Sequence, residues 1–161
     1  MSVGTVLFRR YSTRAYRAVR ERLGLVTATL AEDIAGRDHH FRVIQLPYNL
    51  AMTEAFTEPT QPDDRKPIPL LEAARKLDVY VMTSASIYQG QLVRNLPPVL
   101  SEVMPGLATD AQRALQFVRS TPGVGTALVG LRSDAHVGEA ADLAKVAPVR
   151  WSSFRKLFDA A

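Results

Sequence analysis

The sequence predicts an α/β fold with parallel strands and outer helices, and three observations carry that expectation. Short apolar runs recur at Phe41–Leu46, Val79–Thr83 and Thr126–Val129. Between them lie stretches with helical periodicity, giving the order helix–strand–helix–strand–helix–strand–helix. The run Val79-Tyr-Val-Met-Thr83 is nearly continuous in apolar character, as expected of a strand buried on both faces of a parallel sheet.

Taken in order, the first helical stretch covers about Val26–Ala35, with Gly36 where a helix-ending glycine belongs. The first strand follows and ends in Pro47-Tyr48-Asn49. Four prolines (Pro59, Pro62, Pro67 and Pro69) argue against regular structure from Thr57 to Pro69. Leu70, Leu71, Ala74 and Leu77 then give a short amphipathic helix before the second strand. The polar loop Ser84–Gly90 comes next. Pro97 opens a short helix to Met104, and Thr109-x-x-Gln112 is a capping-box pattern in front of the face Ala111, Ala114, Leu115 and Val118. Pro122-Gly123 makes a turn into the third strand. Ser133 or Asp134 caps the next helix, whose inner face reads as Val137, Ala140 or Ala141, and Ala144. A last short helix carries Trp151, Phe154, Leu157 and Phe158. Residues 3–8 are a candidate fourth strand.

The charge is unevenly distributed. Arg9, Arg10, Arg14, Arg17, Arg20 and Arg22 face one acid, Glu21, within residues 1–24, while the rest of the chain is nearly neutral. The sequence therefore divides into a basic arginine-rich segment (1–24) and a globular domain (25–161). The first reading of residues 1–24 is a solvated helix face, since Tyr16, Val19 and Leu23 recur at helical spacing. An organelle transit peptide is second. Nucleic-acid binding ranks last, because no aromatic or glycine-rich RNA-binding pattern accompanies the arginines. The chain has no cysteine, which excludes disulfides and thiolate metal sites. No apolar run is long enough to cross a bilayer, so no membrane partner is expected. The expected location is the cytoplasm, or an organelle if residues 1–24 are a transit peptide.

Several chemistries are missing. There is no nucleophile elbow, no Walker loop, no Gly-x-Gly-x-x-Gly and no His-Glu-x-x-His. His39 and His40 are adjacent and make a poor metal pair, and His136 stands in the first turn of a helix. Ser84, Ser86 and Gly90 follow the second strand, and they bring hydroxyls, backbone N–H groups and close approach. Arg132 and Ser133 follow the third strand at the start of a helix, where unpaired N–H groups favour an anion and arginine forks onto phosphate oxygens. Each of these residues has a plainer alternative, as a loop hydroxyl or a surface cation.

Three strings, taken together and in this order, resemble the aldo-keto reductases: Gln45-Leu-Pro-Tyr-Asn49, Val79–Leu92, and Ser120-Thr-Pro-Gly-Val with Leu128-Val-Gly-Leu-Arg-Ser133. The resemblance covers about residues 25–147. It implies a partial (β/α)8 TIM barrel, its C-terminal half, with strands six to eight of the eight. It further implies an NADP-dependent carbonyl/alcohol oxidoreductase ancestry. Under it, Gln45 holds the nicotinamide carboxamide, Ser84, Ser86 and Gly90 face the pyrophosphate, and Arg132-Ser133 take the 2′-phosphate of NADP. Glu139 contacts adenine, with Ala140 in place of the family's usual Asn. Thr83 stands where the family often stacks an aromatic ring on the nicotinamide.

The family's tyrosine acid and its lysine, aspartate and histidine partners come from the first half of the barrel. A tyrosine has a pKa of about 10 and cannot donate usefully at neutral pH without such tuning. The expectation is therefore a truncated chain with a weak or partial cofactor site, inactive alone. The alternative is a scaffold or interaction fragment that binds no nucleotide. A full barrel takes ~250 residues, and three strands cannot close a ring. Unpaired sheet edges lead to the further expectation of a homodimer.

Overall fold

The computed structural model describes residues 30–36, 39–63 and 65–159. Three strands form the central sheet: β1 (Val43–Pro47), β4 (Tyr80–Ser84) and β5 (Thr126–Ala127), in the order β1-β4-β5. Both pairings are parallel, with Val43 opposite Tyr80, Pro47 opposite Ser84, and Met82 opposite Thr126. Parallel neighbours need a crossover. The first is supplied by α1 (Glu54–Thr57) and α2 (Leu70–Lys76), the second by α3 (Pro98–Val103) and α4 (Asp110–Ser120). After β5 come α5 (Asp134–Ala144), α6 (Trp151–Phe154) and α7 (Lys156–Asp159). The alternation read from the sequence is thus the observed one. The candidate strand at residues 3–8 and the basic segment lie outside the described residues. Of the first helical stretch, residues 30–35 are described and helical, and Gly36 follows at φ 64°.

Local chemistry explains several boundaries. Pro98 sits in the first turn of α3, where its missing N–H costs nothing. The capping box of α4 is present: Thr109 Oγ1 accepts from Gln112 N, and Gln112 Oε1 accepts from Thr109 N. Gly123 has φ 92° in the Thr121–Val124 turn, and a Cβ there would lie 3.0 Å from the Leu71 carbonyl oxygen, so glycine is required twice over.

Three expectations need correction. The proline-rich segment is not wholly irregular. Here β2 (Pro59–Gln61) pairs antiparallel with β3 (Ile68–Pro69), a short ladder that tolerates proline because it sits apart from the main sheet. The buried face of α5 is not Val137 and Ala144: Leu143 is buried, Val137 is half-exposed, and Ala141 and Ala144 are exposed. The helix is turned so that Glu139 meets α4, as described below. And β4 is buried on one face only.

Side chains alternate across a strand, and the register puts Leu46, Val81 and Thr83 on one face, all buried. The helices cover this face, with Leu70, Leu71, Ala74, Leu115, Phe117 and Val118 in the same core. Phe117 stacks on Tyr48 at 5.9 Å and meets Phe154, which is fully buried. The opposite face carries Val43, Gln45, Tyr80 and Met82. Val43 is 50% exposed and Tyr80 48%. In a closed barrel that face would point to the interior.

Candidate functional site

Two loops at the C-terminal ends of the strands converge on one cavity of about 730 Å³. From the loop after β4 come Ala85, Ser86, Ile87, Gln89, Gly90 and Val93. From the segment after β5 come Leu128 to Arg132, and from α5 come His136, Glu139 and Ala140. The wall between them is Thr109, Ala111 and Leu115 of α4. Four of the residues singled out in the sequence, Ser86, Gly90, Arg132 and Glu139, therefore line one space.

The loop after β4 is unusually shaped. Ala85, Tyr88, Gln89 and Gly90 all have φ between 47° and 84°. For the three non-glycine residues this is a strained region, which the surroundings must enforce. Asn49 contributes: its side-chain N–H donates to the Ala85 carbonyl at 2.9 Å, while its Oδ1 accepts from Ala51 N at 2.8 Å. Asn49 is fully buried, so both ends of its amide are committed to shaping this turn. It belongs to the Gln45–Asn49 string, yet nothing in the sequence reveals that its partner lies 36 residues ahead.

Ser86 is 2% exposed, and its hydroxyl has no hydrogen-bond partner among the described residues. A buried hydroxyl without a partner is costly. Across the cavity, Arg132 is exposed and has no ion pair or hydrogen bond among the described residues. Ser133 caps α5 by accepting from His136 N at 3.3 Å. The other N–H groups of that first turn lack intrahelical acceptors, so the end carries a partial positive charge. Asp134 in the same turn offsets part of it.

Glu139 is held to α4. Thr109 Oγ1 donates to Glu139 Oε1, and Gln112 Nε2 donates to the Glu139 carbonyl at 3.1 Å. The remaining predicted site residues lie elsewhere. Gln45 is exposed on the open sheet face, and Ser84 ends β4 next to it; neither lines the cavity. Ser133 is at the rim, occupied as a cap. Thr83 is buried on the helix side and donates to the Thr126 carbonyl at 3.2 Å, so it offers no surface to a ligand.

Tyrosine placement bears on acid chemistry. Tyr48 is fully buried, hydrogen-bonded to Thr121 Oγ1 at 3.1 Å, and burial pushes its pKa well above the ordinary tyrosine value. Tyr80 starts β4, at the end of the strand away from the cavity, and its hydroxyl is 2.6 Å from Thr126 Oγ1. No helix among the described residues is long and apolar enough to cross a membrane.

Parallel strands, crossover helices and a cavity at the strand C-termini define part of a (β/α) barrel, with the cavity on the face where such folds place their sites. No family model and no curated protein sequence matches the chain. Among solved structures it is similar to aldo-keto reductase AKR11C1 from Bacillus halodurans, in both its holo and apo forms. Each has a TM-score of 0.58 at 15% identity and covers 86% of this chain. The chain spans about half the length of that reductase, 47% and 48% of the two forms. The fold is that of part of an aldo-keto reductase barrel, as the three strings imply.

Proposed function

We propose that this chain binds the adenosine-phosphate half of NADP in the cavity between the Ser86 loop and the start of α5, and that alone it transfers no hydride. The observation that carries the reading is the convergence of two strand-end loops on one cavity, with Ser86 and Gly90 on one side and the exposed Arg132 and the first turn of α5 on the other. An exposed arginine beside a helix N-terminus favours a phosphate on that side of the cavity. Gly90, without a side chain, lets a phosphate approach the backbone. The wall of Ile87, Val93, Leu115 and Leu128 suits the flat face of a purine, with Glu139 at its edge. Arg132, followed by the Ser133 cap, is the group for the 2′-phosphate, which favours NADP over NAD.

A nicotinamide supplies hydride when bound, and Gln45 and Ser84 on the open face are the residues to hold it. Its proton-donating partner is not provided by Tyr48 or Tyr80, for the reasons of burial and placement given above. Reduction of carbonyls in the manner of aldo-keto reductases would then need further chain to complete the barrel.

The test is a fluorescence titration of the chain with NADPH and with NADH. A charge-assisted hydrogen bond is worth about 1.5–3 kcal/mol, so Arg132→Ala should weaken NADPH by about tenfold or more and NADH little. Equal loss for both would remove Arg132 from the 2′-phosphate. Turnover of a simple aldehyde by the pure chain would overturn the noncatalytic half of the proposal.

A further inference from the structure

A second cavity, of about 410 Å³, shares no residue with the one between the strand-end loops. Its size falls within the range of small-molecule sites, about 300–1,000 Å³. Its apolar walls are Phe56, Trp151, Pro69 and Pro122. The two aromatic rings stand edge to face, 75° apart with centroids at 6.0 Å. Trp151 is half-exposed there, although its neighbour Phe154 is fully buried.

Two opposite charges of α2, Glu72 and Arg75, line the same space. Residues three apart on a helix are neighbours, and opposite charges at that spacing commonly pair. These two do not. Lys76 is bonded to Asp63 at 2.8 Å and reaches Glu72 only at 3.9 Å. The Arg75 side chain is exposed and makes no hydrogen bond or ion pair among the described residues.

We infer that this cavity is a binding site for a free aromatic α-amino acid, with its carboxylate on Arg75, its ammonium on Glu72 and its ring against Phe56 and Trp151. Charge complementarity selects that occupant. A guanidinium forks onto a carboxylate. A carboxylate only accepts hydrogen bonds and an ammonium only donates them. A lone anion would gain Arg75 and be repelled by Glu72. A lone cation would gain Glu72 and be repelled by Arg75. A zwitterion answers both, and a peptide, whose terminal charges lie far apart, does not. A further ring packed against the edge-to-face pair adds to the apolar burial. The inference is independent of the nucleotide reading.

The sequence has one tryptophan, and it lines this cavity, so its fluorescence reports occupancy. The full chain is titrated with phenylalanine, phenylpropionate and phenethylamine, which share a ring but not both charges. Phenylalanine should bind at least about tenfold tighter than either, the order of one charge-assisted hydrogen bond. Glu72→Gln, at a partly exposed position whose ion pair is long, should leave the fold intact. It should weaken phenylalanine by about tenfold and tighten phenylpropionate. Arg75→Gln should weaken phenylalanine as much and tighten phenethylamine instead. Binding of all three ligands within about twofold of one another would leave only an apolar groove and overturn the inference. So would phenylalanine that neither changes Trp151 emission nor is retained in equilibrium dialysis at about 10 mM.

Discussion

The two faces of the central sheet are made of the same strands and treated in opposite ways. On one face Leu46, Val81 and Thr83 are buried beneath helices, and the aromatic cluster of Tyr48, Phe117, Phe154 and Phe158 extends that core. On the other, Val43, Gln45 and Tyr80 are open. The stability of the described fold therefore resides in the helix–sheet layer. The open face adds little to it.

Substitutions sharpen this contrast, with the largest loss expected where packing is complete. Phe154→Ala should cost about 3–5 kcal/mol in urea denaturation, since Phe154 is fully enclosed by Phe117, Trp151 and Phe158. Gly123→Ala should cost about 1–2 kcal/mol from its left-handed backbone, with added crowding against Leu71.

Tyr48→Phe should cost about 1 kcal/mol through its lost hydrogen bond to Thr121. It should also change the alkaline limb of stability. Burial raises the Tyr48 pKa, so the folded chain holds that proton more tightly than the unfolded chain, whose tyrosine titrates at about 10. Stability is thus fully present below about pH 10 and is lost as pH rises through the folded value; the Phe variant should flatten that decline. At the small end, Val43→Thr on the open face should shift stability by less than about 0.5 kcal/mol. A loss of several times that size would mean that the face is covered in solution. We expect its cover to be a second copy, in which case sedimentation would report a dimer that Val43→Lys disrupts.

How far the sequence could be read follows the same division. The strand runs, the parallel order, the α4 cap and the Pro122-Gly123 turn were legible because each is a local pattern. The sequence pattern overextends the third strand: β5 ends at Ala127, one further bond runs from Leu128 N to the Thr83 carbonyl at 2.9 Å, and Leu128 and Val129 line the cavity. The open face was illegible, because Val79-Tyr-Val-Met reads as apolar on both sides whether or not anything covers it. The loops bearing Ser86 and Arg132 could be placed at strand ends from the sequence, and residues of both line one cavity. The links that shape them, Asn49 to Ala85 and Thr109 to Glu139, join residues 36 and 30 positions apart and leave no local signature. The face of α5 differs from the sequence pattern because its buried residue is Leu143, which packs into the core, rather than Val137 or Ala144.

The most direct measurement is an amide chemical-shift titration of the isotopically labelled chain with adenosine 2′,5′-bisphosphate. Saturable shifts should concentrate in residues 85–93 and 130–140 and be absent from Val43–Gln45 and Tyr80–Met82. Shifts gathered on the open sheet face instead, or none at millimolar ligand, would contradict a phosphate grip between the Ser86 and Arg132 loops.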